Sequence, residues 1–131
     1  MTLIQWDESM SVGHDEIDDQ HKKLIDLINR AYEAMQKHDE HMMVSLINEM
    51  RDYATVHFKT EETLIENNGF PKIAEHKWQH AKFNKTVEDF QKKQFDTMNL
   101  SQIFVFLSRW LTTHIMEEDM QYVPYLPKKE S

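Results

Sequence analysis

The chain has 131 residues, with 15 Lys and Arg against 23 Asp and Glu for a net charge of −8, and no cysteine. That length suits one domain around one core, and the acidic balance argues against a nucleic-acid partner or an anionic membrane surface. Without cysteine there is no disulfide, no thiolate metal site and no thiol nucleophile, so any metal must be held by His and carboxylate, which suits iron, manganese or zinc.

With only 2 Gly and 3 Pro, turns are few and long helices are favoured over many short strands. Residues 1 to about 17 form an arm without helical periodicity. Trp6, Val12 and Ile17 should pack it on the domain, and Gly13 marks a turn. The arm has no basic start and no apolar run of signal-peptide length, and no segment is apolar enough to insert in a membrane, so a cytoplasmic protein is expected.

A first helix over about 18–37 follows from the stripe Ile17, His21, Leu24, Ile28, Ala31 and Met35, with Asp18 and Asp19 favouring its start. A second, about 40–66, carries Met43, Leu46, Met50, Tyr53, His57, Glu61 and Leu64, and stops at Asn67-Asn68-Gly69. Pro71 opens a third, about 71–92, with Ile73, His76, His80, Phe83, Val87 and Phe90. It fades in the polar run Gln91 to Gln94. A fourth, about 101–121, capped by Asn99 or Ser101, carries Ile103, Leu107, Trp110 or Leu111, and His114, and is ended by Pro124 and Pro127. Four such helices joined by short loops predict an all-α, up-down-up-down antiparallel four-helix bundle with an N-terminal arm, as a single domain over residues 1–131.

Five of the eight His fall on these apolar stripes: His21, His57, His76, His80 and His114. Any one of them reads more simply as a core histidine satisfied by hydrogen bonds. Together with two or more carboxylates they are different, because burying so many ionisable groups uncompensated costs several kcal/mol for each that is charged. A metal centre offsets that cost, and facing helices of a bundle are where such centres are built. Five imidazoles and two carboxylates are too many donors for one ion and suit two ions bridged by carboxylate. Glu61, one helical turn from His57, is placed to bridge. For the second bridge, the four-residue step from His114 favours Glu118. Asp119 is five residues on and would need a π-type turn to share the face.

The order His21, His57-x-x-x-Glu61, His76-x-x-x-His80, His114-x-x-x-x-Asp119, with Ile17-Asp18-Asp19-Gln20-His21 ahead of the first donor and Phe58 after His57, resembles the signature of the hemerythrin family, in its bacterial single-domain form. The resemblance covers nearly the whole chain. It implies a non-haem di-iron centre that binds dioxygen reversibly, for oxygen carriage, storage or supply, in a monomer. His76, His80 and His114 would complete one iron. His21 and His57 would bind the other and leave it an open position. Glu61, Asp119 and an oxo or hydroxo group would bridge, so the resemblance sets Asp119 above the Glu118 that spacing prefers. Leu111, Phe58, Trp110 and Ile115 would form the apolar oxygen pocket. Tyr122 reads equally as core or as a partner of the site. No enzymatic activity is implied. The alternatives are a di-iron oxidase or peroxidase, against which stands the lack of paired Glu-x-x-His motifs, and an iron- or oxygen-sensing module.

Overall fold

The computed structural model describes residues 4–92 and 97–126, with the side chains of 90–92 and 97–100 outside that description. The Phe90 stripe position and Pro127 therefore lie outside the described side chains, whereas the backbone of the fourth helix is already helical from Thr97, so Asn99 and Ser101 stand inside it and neither is its N-cap. Four α-helices run in order: α1 (Asp15–Gln36), α2 (Glu40–Asn67), α3 (Ile73–Lys92) and α4 (Thr97–Thr113). A five-residue π turn (His114–Glu118) and a 3-10 helix (Asp119–Tyr125) prolong α4, and a short 3-10 turn (Glu8–Met10) lies in the arm. The architecture is an antiparallel four-helix bundle with no strand among the described residues. None of its helices there is long and apolar enough to cross a membrane.

The helix ends follow from local chemistry. α1 starts at Asp15, ahead of the expected position, because the His14 side chain accepts from the Ile17 N–H and caps it. Asp18 is therefore not a cap. Its side chain is buried and ties down the arm, accepting from Ser11 Oγ at 2.5 Å and from the Val12 N–H at 2.9 Å. Asp39 caps α2 by accepting from the Met42 N–H at 3.0 Å. At the other end of α2, Gly69 takes φ 73° and the Phe70 N–H reaches back to the Ile65 carbonyl at 3.0 Å, a Schellman ending that glycine favours. His38 holds the same left-handed position after α1, at φ 55°. Pro71 and Lys72 form a turn, and α3 begins two residues later than expected.

The alternation of helix direction fixes what lies around the histidines. Three residues after His21 on α1 is Leu24. Three before His57 on α2 is Ala54. Three after His80 on α3 is Phe83, and three before His114 on α4 is Leu111. In an up-down-up-down bundle these four positions fall at one level, and all four are buried in one cluster with Ile28, Phe58 and Leu107. A second cluster of Val12, Ile17, Ile65, Phe70, Tyr122 and Leu126 closes the other side. Burial of each large aliphatic side chain in these layers contributes about 1.5–3 kcal/mol. Tyr53 and Leu64, expected on the α2 stripe, are only partly buried, and Ala54 and Ile65 take the interior positions.

Candidate metal centre

Between the two apolar clusters lie seven buried polar side chains: His21, His57, Glu61, His76, His80, His114 and Asp119. Each helix of the bundle contributes. α1 supplies His21, α2 supplies His57 and Glu61 one turn apart, α3 supplies His76 and His80 one turn apart, and the extended α4 supplies His114 and Asp119. The four-residue steps place each pair on one helix face.

Asp119 reaches that face through backbone geometry. On a regular helix a five-residue step ends roughly 140° from its start. Here the Asp119 N–H donates to the His114 carbonyl, the i→i+5 bond of a π turn, and the extra residue brings the carboxylate back round. Glu118, favoured by spacing, points elsewhere. It is partly exposed and accepts from Gln79 Nε2 at 3.0 Å and Gln121 Nε2 at 3.3 Å.

All five imidazoles direct Nε2 inward, and each carboxylate divides its two oxygens. Glu61 Oε1 faces His76 at 2.6 Å, His80 at 3.1 Å and His114 at 3.7 Å, while Oε2 faces His57 at 3.3 Å and His21 at 3.6 Å. Asp119 Oδ1 faces His114 at 2.9 Å and His76 at 3.3 Å, and Oδ2 faces His21 at 3.0 Å. The donors thus fall into two sets, Glu61 with His76, His80 and His114, and Glu61 and Asp119 with His21 and His57, each gathered within 4.8 Å. His21 Nε2 and both Asp119 oxygens are buried without a hydrogen-bond partner. Orphaned buried polar atoms are costly, and a cation between them would satisfy all three. An all-nitrogen-and-oxygen donor set of this kind suits divalent first-row metals, so the residues fit a pair of metal ions.

The electrostatics point the same way. Burial opposes charge on His21, but the Asp119 and Glu61 carboxylates outweigh it and raise the imidazole to about 9. His76 is raised to about 9 and His114 to about 10 on the same balance. Burial also works against the Glu61 charge, yet the imidazoles of His114, His21, His57 and His76 gathered around it hold its carboxyl well below the usual range. Asp119 is lowered too, by His114 and His21 acting against burial and the Glu61 charge. The two carboxylates therefore draw in positive charge from whatever source, proton or metal.

Around this centre Tyr122 Oη donates to Glu61 Oε2 at 3.0 Å. His57 Nδ1 lies 2.6 Å from Gln20 Oε1 and His80 Nδ1 lies 2.9 Å from Glu62 Oε2. Sequence reasoning did not find Gln20 or Glu62 as partners. The only signal was that each is polar and adjoins a donor, Gln20 before His21 and Glu62 after Glu61.

The four expected oxygen-pocket residues do not sit together. Phe58 and Leu111 share the apolar layer beside the histidines, with Trp110 packed against it. Phe58 stacks on His80 at 3.9 Å, and Trp110 stacks on His114 at 4.4 Å. Trp110 also walls a surface cleft of about 780 Å³ between α3 and α4, so it is not sealed in. Ile115 belongs to a different cluster, with Met10 and Ile25 under the arm.

The fold and this two-lobed set of imidazoles and carboxylates define a helical-bundle protein with a metal-binding centre. Residues 12–126 match the hemerythrin HHE cation binding domain. The chain is 32% identical to a bacteriohemerythrin of Clostridium acetobutylicum, over 92% of this chain and 99% of that one. It is 37% identical to a hemerythrin-like protein of Naegleria gruberi, over 91% and 90%. A crystal structure of wild-type hemerythrin superposes with a TM-score of 0.83 at 27% identity, covering 95% of this chain and 98% of that one. The chain belongs to the hemerythrin family.

Proposed function

We propose that the centre holds two iron ions and binds dioxygen reversibly, for oxygen carriage, storage or supply. The observation that supports this is that Glu61 and Asp119 each turn one oxygen toward histidines of either group, as two bridging carboxylates would. His76, His80 and His114 would hold one ion, and His21 and His57 the other. The second set has one imidazole fewer, which leaves room there for an exogenous ligand. When bound, the iron pair would lend two electrons to dioxygen and recover them on release.

The chain's own residues supply the conditions. Neutral imidazoles outnumber carboxylates, and a donor set with little negative charge favours the ferrous state. Leu24, Ala54, Phe58 and Leu111 form a buried apolar wall on one side of the histidines and keep water from the ligand position. We take Leu111 and Phe58 as its pocket residues, with Trp110 flanking the three-imidazole set and Ile115 supporting from behind. All seven donors come from one chain, so a monomeric single domain suffices. In this reading it works in the cytoplasm, where reducing conditions keep iron ferrous.

The test is a visible absorption spectrum of the ferrous protein before oxygen, after oxygen, and after oxygen is stripped, with iron counted per chain. A charge-transfer band that appears and then disappears, with two irons, is expected. A band that decays to the ferric state without recovery overturns reversible binding and favours an oxidase. His57→Ala and Glu61→Ala should each lower iron content and abolish the band, whereas His41→Ala, at an exposed position, should change neither. A normal band in either of the first two would sink the assignment of the site.

A further inference from the structure

The partners of His57 and His80 differ in charge. Both rings turn Nε2 toward Glu61 and Nδ1 away from the centre. An imidazole that coordinates through Nε2 carries its hydrogen on Nδ1, so both Nδ1–H groups donate outward. For His57 the acceptor is the Gln20 amide oxygen at 2.6 Å, a neutral group. For His80 it is the Glu62 carboxylate at 2.9 Å. A hydrogen bond to a carboxylate is roughly twice as strong as one between neutral groups. It draws the Nδ1 proton outward and leaves the ring a stronger donor at Nε2.

The two rings also belong to different sets. His80 stands with His76 and His114, whereas His57 stands with His21. Charge reinforcement therefore falls on the set that is already richer by one imidazole. The connections are local in origin. Gln20 adjoins a donor on α1 and reaches α2, and Glu62 adjoins a donor on α2 and reaches α3. Each spans one helix pair and fixes the ring plane of its histidine.

We propose that Gln20 and Glu62 are positioning residues that make the two metal ions unequal. Glu62 strengthens the three-imidazole set, so that ion is held more tightly and is the easier to oxidise. Gln20 orients His57 without adding charge, so the ion with room for an exogenous ligand keeps the weaker donors and resists oxidation. The inference deepens the proposed function and rests on its two-ion reading.

The exchanges Gln20→Glu and Glu62→Gln are close to isosteric and test it in the full chain. In the zinc-loaded protein, long-range proton–nitrogen NMR resolves the two Nδ1–H resonances. In the unsubstituted protein, that of His80 is expected downfield of that of His57, a comparison that needs no variant. Gln20→Glu should move the His57 resonance downfield and leave that of His80 in place. Glu62→Gln should move the His80 resonance upfield and weaken one of the two zinc ions about tenfold in chelator competition. In the iron-loaded protein, the ferric/ferrous potential should fall in Gln20→Glu and rise in Glu62→Gln. Resonances in the reverse order, resonances that stay put in both variants, or potentials that shift in the same direction would overturn the inference. Zinc NMR does not depend on oxygen. The expected shifts without a reversible oxygen band would overturn the oxygen-binding reading alone. A normal band with unmoved resonances would overturn this inference alone.

Discussion

Tyr122 shows how one residue serves packing and chemistry together. Its ring is wholly buried and meets Phe70 and His76 edge-on at 6.1 and 5.7 Å. Burial, then the nearby Glu61 and Asp119 charges, push the phenol well above 10, so it stays protonated and acts as a donor. Its acceptor, Glu61 Oε2, also faces His21 and His57. Tyr122→Phe keeps the packing and removes the donor. A hydrogen bond to a charged group is worth about 1.5–3 kcal/mol, so urea unfolding of the metal-free variant should show a loss of about that size. The loss should shrink once metal occupies Oε2, and an unchanged unfolding midpoint would show that the contact contributes nothing. Position alone left Tyr122 open between core and site because helical spacing gives the face of a residue and not its partner. Gln20 and Glu62 escaped notice for the same reason. They flank the apolar stripe, and only the approach of a neighbouring helix shows what they touch.

At the scale of elements, the π turn decides which acid joins the centre. Periodicity of 3.6 residues makes Glu118 the natural partner of His114, and no propensity in His114-Ile115-Met116-Glu117-Glu118 announces an i→i+5 bond. Resemblance to a family supplied Asp119, and the backbone explains it. If the turn serves to absorb one residue, a chain lacking the exposed Glu117 should close into regular α-helix. Asp119 would then stand four residues from His114, on the same face, with Tyr122 still in register. On the proposed two-ion reading, that variant should keep two metal ions per chain and gain helical signal in far-ultraviolet circular dichroism. Loss of one ion would mean that the π backbone itself sets the bridge. The helices proper were legible throughout, because their apolar stripes recur at three and four residues for 17 to 28 residues at a time. Their ends were less so. The cap of α1 is a histidine, and Asp18, a natural cap by type, is spent on holding the arm.

For the molecule as a whole, the centre ties stability to pH because its donors converge from every helix and the unfolded chain has no such convergence. In the metal-free protein His21 and His76 are raised to about 9 and His114 to about 10, above an unfolded value of 6.5. Their contribution is fully present below 6.5 and is lost as pH rises through 9 to 10. Glu61 and Asp119 are lowered from 4.5 and 3.8, so their contribution is present above those values and is lost as pH falls through the folded values. The metal-free protein should therefore be most stable between 4.5 and 6.5 and weaken steadily toward 10. Metal binding reverses the alkaline trend. Coordination needs neutral imidazoles, so metal competes with the bound protons, and its apparent affinity rises with pH over the range in which the protein's own stability falls. The urea midpoint of the metal-free protein should drop between pH 6.5 and 9.5, while that of the zinc-loaded protein should hold or rise. Zinc titration at pH 7 should release protons, measured as a dependence of the binding heat on buffer ionisation enthalpy. Parallel midpoints with and without zinc, together with a buffer-independent heat, would show that the carboxylates do not hold protons at the histidines. The charge balance derived for the centre would then be wrong.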